Sequence, residues 1–128
     1  MSLSVRVMQY ADYIVVVLDG ELDMASGPRL VAAATEALAG ERRYLLVDAA
    51  GLTFCDSDGL YALLETRREV TGAGGTMELA HVRARFRHVL EITGLSRVFT
   101  ITSDAADRGS TSHAGQGPSI PPKRSEDP

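Results

Sequence analysis

The residues with the most chemical potential in this chain form one pentapeptide, Asp56-Ser57-Asp58-Gly59-Leu60, a hydroxyl between two carboxylates just ahead of an amphipathic run. Such a hydroxyl can serve as a nucleophile, as a helix cap, or as the acceptor of a transferred group. Nucleophilic catalysis needs a base beside the serine, but Ser57 stands in no GxSxG elbow and no histidine occupies an obvious partner position. His81, His88 and His113 lie far apart beside a single cysteine, Cys55, which predicts surface histidines and no zinc site. Neither GxxxxGK[ST] nor GxGxxG occurs, and the glycines at 72–75 follow a helical pattern where a phosphate loop would open one. As a helix start the pentapeptide makes physical sense. Asp56 or Ser57 can cap, and Asp58 falls in the first turn, where unsatisfied N–H groups and partial positive charge favour acids and phosphate. A serine there is exposed and accepts a phosphate without collapsing its helix. Local physics serves two readings equally, a good cap and a modification site.

The same string resembles the DxDG opening of the haloacid dehalogenase-type phosphatases, a likeness that would make Asp56 a nucleophile beside magnesium. That chemistry also requires a downstream basic residue, usually lysine, and further acids. The only lysine is Lys123, near the C-terminus, and 128 residues leave no room for the usual cap domain. The chain is therefore expected not to be an enzyme, with no catalytic residues, no metal and no cofactor.

The elements that position the pentapeptide follow from periodicity. Leu3, Val5 and Val7 alternate with polar neighbours as a half-buried strand, and Ile14 to Leu18 form a continuous β-branched run suited to a more central one. The two are expected to pair as a hairpin. In the loop GELDMASGP that follows, Ser26 is placed to cap a helix with Pro28 in its first turn. Leu30, Ala34, Ala37 and Leu38 recur at helical spacing and Gly40 is a natural stop. Tyr44 to Val47 predict a short buried strand. A turn and the pentapeptide lead into a helix with Leu60, Leu63, Leu64 and Val70 on one face. Met77 to Ala80 predict a strand, Phe86, Val89, Leu90 and Thr93 a third helix stopping at Gly94, and Val98 to Ile101 a last strand. The order β-β-α-β-α-β-α-β implies an α/β fold, a single domain with a mixed β-sheet covered by helices.

Composition narrows the function further. Net charge is −4, and the ten arginines before residue 103 are offset by thirteen acids, which argues against a nucleic-acid partner. One cysteine excludes an intrachain disulfide and favours a reducing compartment. No signal peptide opens the sequence and no apolar stretch reaches the ~20 residues that span a bilayer, so the expected location is cytoplasmic, without a membrane partner. Residues 103–128 hold one large aliphatic side chain, Ile120, and are expected to form a disordered C-terminal tail after a folded domain at 1–102.

Taken together, these pieces resemble the STAS-domain anti-sigma factor antagonists of bacteria. The likeness runs from about residue 3 to 102: the early strand pair closed by Gly20-Glu21-Leu22-Asp23, the helix after Ser26, the segment VDAAGLTFCDSDGL, the glycine-led strand at 74–80, and ITGL at 92–95. Its most specific piece is the family's D-S-[ST]-G-L motif at a helix start. The resemblance implies a protein that binds an anti-sigma factor and so frees a sigma factor. It implies that this partner has serine kinase activity, that Ser57 is the phosphoacceptor, and that a phosphatase acts on phospho-Ser57. Asp23, Asp56, Ser57, Asp58 and Gly59 are the implied partner-binding residues. Asp58 departs from the family pattern, which has a second small hydroxyl residue there. The alternative is a STAS module that binds a small ligand or scaffolds a signalling complex.

Overall fold

A computed structural model describes residues 2–102; the tail expected at 103–128 lies outside the described residues. The elements are β1 (Leu3–Gln9), β2 (Ile14–Leu22), α1 (Gly27–Ala37), β3 (Tyr44–Cys55), α2 (Ser57–Gly72), β4 (Thr76–Ala80), α3 (Ala84–Ile92), a short 3-10 turn (Leu95–Arg97) and β5 (Thr100–Thr102). One five-stranded sheet takes them in chain order. The β1–β2 hairpin is antiparallel, and β2–β3, β3–β4 and β4–β5 are parallel, as the expected order requires.

Strand alternation sorts the sheet into two faces. Ile14, Val16, Leu45, Val47 and Leu79 point into the main core, where they meet Leu30 and Ala34 of α1, Leu63 and Val70 of α2, and Phe86 and Leu90 of α3. The helices therefore cover one face. The other carries a smaller cluster around Val15, Leu46 and Ala80, roofed by Tyr10, Tyr13 and Tyr44, with the Tyr10 and Tyr13 rings stacked at 4.9 Å. Tyr44 hydrogen-bonds Glu78 there, and burial followed by that carboxylate pushes its hydroxyl pKa well up.

Several boundaries differ from those expected. β3 does not end at Val47 but runs on to Cys55. Between Val17 and Asp19, and again between Gly20 and Glu21, β2 advances one residue fewer than β3, so β3 carries two bulges. Bulges break the period-two pattern and bend the strand, which is why Asp48 to Gly51 resemble a turn in the sequence. β4 pairs with β3 only as far as Asp48, so the last seven residues of β3 project past β4. At the other end of the chain, α1 closes at Ala37, before Gly40. Val98 and Phe99, expected to open the last strand, follow the 3-10 turn outside the sheet, and β5 begins only at Thr100. Gly94, with φ of +81°, supplies the left-handed step into that turn.

Candidate functional site

The projecting end of β3 delivers the pentapeptide to the rim of the sheet, where α2 starts without an intervening loop. Asp56 is the cap: its carboxylate accepts the Gly59 N–H at 2.9 Å, and its carbonyl accepts the Leu60 N–H at 2.9 Å. Ser57 is the first helical residue and is exposed; among the described residues its hydroxyl makes no hydrogen bond. Asp58 is exposed in the first turn, where the helix dipole favours a carboxylate. Gly59 is buried. A Cβ on it would lie 2.2 Å from the Leu22 carbonyl oxygen and 2.9 Å from the Cys55 sulfur, so its missing side chain lets α2 start against the end of β2. Gly59 thus lies beneath the surface that Ser57 and Asp58 present.

The neighbouring loop is locked by Asp23 and Ser26. Ser26 occupies the N-cap position of α1, but its hydroxyl makes no cap bond. Instead it donates to the Glu21 carbonyl at 2.9 Å and to the Asp23 carboxylate at 3.0 Å, while accepting the Asp23 N–H at 2.9 Å. The Ser26 N–H also donates to Asp23, at 3.0 Å. These bonds from Ser26, backbone first and hydroxyl second, hold the Asp23 carboxyl below its ordinary pKa. The loop they close joins β2 to α1 and brings Asp23 to the rim of the groove that Asp58 lines.

That groove, of about 410 Å³, runs between α1 and α2; Asp23, Asp58 and Glu65 give it acid while Met24, Val31 and Tyr61 give it apolar surface. No arginine or lysine lines it. Met24 is 72% exposed and Tyr61 is 55% exposed, and both line this groove. On the other side of the pentapeptide, Phe54 is 49% exposed beside Cys55, whose thiol is pushed up to about 12 by burial and then by the adjacent Asp56. No motif in the sequence marks Met24, Tyr61 or Phe54. Tyr61 could have been found, because it falls off the apolar stripe of its helix. Phe54 could not, because the bulges hide which way β3 faces.

The histidines do not converge. His88 is exposed, while His81 is half-buried in the turn after β4 with φ of +57°, and His113 lies outside the described residues. Among the described residues no three His, Cys, Asp or Glu side chains gather where they could hold a metal. No helix among them is long and apolar enough to cross a membrane.

This arrangement recurs in known proteins. A family model described as "Mlab, STAS domain" matches residues 6–102. An anti-sigma factor antagonist from Mycobacterium paratuberculosis superposes with a TM-score of 0.70 at 25% identity, covering 83% of this chain and 90% of that one. The unphosphorylated form of the anti-sigma factor antagonist SpoIIAA superposes at 0.65 with 23% identity, over 85% of this chain and 100% of that one. The phosphorylated form of SpoIIAA, a Bacillus cell fate determinant, gives 0.59 at 24% identity over 84% and 99%. With the strand order, the helix-start motif and a family match over most of its length, the chain belongs to the STAS-domain family that includes the anti-sigma factor antagonists.

Proposed function

We propose that this protein is an anti-sigma factor antagonist acting in the cytoplasm: it binds an anti-sigma factor with serine kinase activity, frees a sigma factor, and is switched off by phosphorylation of Ser57. The observation that carries the reading is the division of labour at the start of α2. Asp56 does the capping, so the Ser57 hydroxyl is left exposed and without a hydrogen-bond partner among the described residues. A serine needed by the fold would be a poor acceptor; this one is spare. The surface beside it has the anatomy of a docking site, with exposed Met24 and Tyr61 among Asp23 and Asp58. That SpoIIAA is known in unphosphorylated and phosphorylated forms supports the same reading.

The charge at this surface suggests how the switch works. Asp23, Asp56 and Asp58 make it negative, so the partner's matching surface is basic. A phosphate adds about −1.5 to −2 charge at pH 7, which alters that match, and a phosphatase acting on phospho-Ser57 restores it. The test is intact-mass analysis of the protein incubated with the kinase co-purified from its own cell and ATP. Wild type should gain one phosphate and leave the complex; Ser57→Ala should bind equally well, gain none and stay bound. Equal phosphate incorporation into the alanine variant would refute the assignment.

A further inference from the structure

The part of β3 that projects past β4 does more than deliver the pentapeptide. It forms one wall of a second groove, of about 530 Å³, whose other wall is α3. Leu52, Cys55, Phe86 and Val89 make its surface apolar, and Phe54 stands half-exposed along it. Arg83 and Arg85 bring positive charge, and none of the nine lining residues is acidic. Arg83 donates to the Ala50 carbonyl at 2.8 Å, which fixes it across the groove and leaves its other N–H groups to point elsewhere. Arg85 is exposed and makes no hydrogen bond or ion pair among the described residues.

Two guanidiniums without a carboxylate partner beside an apolar trough call for a ligand that is anionic at one end and apolar along its length. The volume falls in the usual small-ligand range of about 300–1,000 Å³. We propose that the β3–α3 groove binds a small amphipathic carboxylate, an aliphatic chain lying along Leu52, Phe86 and Val89 with its head group at Arg83 and Arg85. The Cys55 thiol, held neutral near pH 7 by its raised pKa, puts no opposing charge in the wall. This site does not depend on the role of Ser57.

The experiment titrates the full chain with hexanoate, octanoate and decanoate below their micellar concentrations, following binding by calorimetry and by amide shifts in labelled protein. Affinity should rise about fourfold per added methylene until the groove is full. Shifts should concentrate at residues 50–55 and 83–89. Decanol should bind about tenfold more weakly than decanoate. Arg85→Gln should weaken decanoate about fivefold, the upper end for an exposed ion pair, without moving the melting temperature or the affinity for decanol. Equal affinity for decanoate and decanol, an unaltered decanoate affinity in Arg85→Gln, or shifts confined to the α1–α2 groove would each overturn the proposal. So would binding of an acidic peptide, but of none of the carboxylates, at this groove.

Discussion

Replacing Gly59 with alanine tests whether the pentapeptide is seated as described, because helix propensity and packing predict opposite signs. In a helix interior alanine is favoured over glycine by about 0.8–1.0 kcal/mol, and in the first turn of α2 the gain is smaller. Against this, the new Cβ would lie 2.2 Å from the Leu22 carbonyl oxygen and 2.9 Å from the Cys55 sulfur. The first distance is more than 1 Å short of an ordinary contact of about 3.5 Å. The Leu22 oxygen cannot swing aside as a side chain would, because Leu22 pairs with Cys55 at the end of the β2–β3 ladder. Overpacking of this kind costs about 1–3 kcal/mol, so a net loss of about 2 kcal/mol is expected. In a domain of this size that is a fall of roughly 8–16 °C in melting temperature. Gly72→Ala is the matched control. A Cβ there meets nothing within 4 Å, at the last residue of the same helix. It should stabilise by about 0.4–1 kcal/mol. Thermal and urea unfolding of the two variants beside wild type decide the matter. If Gly59→Ala proves as stable as wild type, α2 does not start against β2 in the way described.

Asp56→Ala removes the cap bond to Gly59 and should cost about 0.5–2 kcal/mol of unfolding free energy, read from urea melts. Asp58→Ser loses a favourable helix-dipole contact of about 0.3–1 kcal/mol and should lower the melting temperature slightly. It should also make Ser57 a faster kinase substrate, with the difference narrowing at high salt. Equal or slower phosphorylation at low salt would show that Asp58 does not restrain the reaction electrostatically. Cys55 should resist iodoacetamide at pH 7–8, because its pKa of about 12 leaves almost no thiolate. Alkylation should accelerate only as pH rises toward that value, and rapid labelling at neutral pH would refute the burial of its thiol.

Much of the fold was legible because its signals are local and consistent. The apolar rows of α1 and α2, Pro28 at a helix start and Gly94 after a helix end each obey a short-range rule. What escaped the sequence depends on one strand's bulges. Two extra residues in β3 turned a twelve-residue strand into an apparent short strand and turn. The same bulges concealed Phe54 and the groove beside it. Arg83 and Arg85 stood among ten scattered arginines in the sequence; only the packing of α3 beside the end of β3 gathers them on one trough. Ser26 failed as a cap for a different reason. Its oxygen already accepts the Asp23 N–H, and its proton is directed to the Glu21 carbonyl and the Asp23 carboxylate, so the hydroxyl faces back into the loop and away from the helix N–H groups.

The candidate site combines rigidity with a group left over. Asp56, Gly59 and the Asp23–Ser26 lock use side chains or their absence to fix the backbone on both sides of Ser57. Ser57 itself contributes only its place in the helix. The Ser57 and Asp58 N–H groups make no hydrogen bond among the described residues and lie at the positive end of α2. Under the proposed reading a phosphate on Ser57 would find those donors at hand, while Asp56 and Asp58 oppose it at short range. Attraction and repulsion then act on the same few atoms, and neither touches the core, which lies below Gly59 and Leu60. The modification would therefore change the charge of the surface without remaking its shape. A partner that docks through basic groups would detect it, whereas the STAS fold beneath would not.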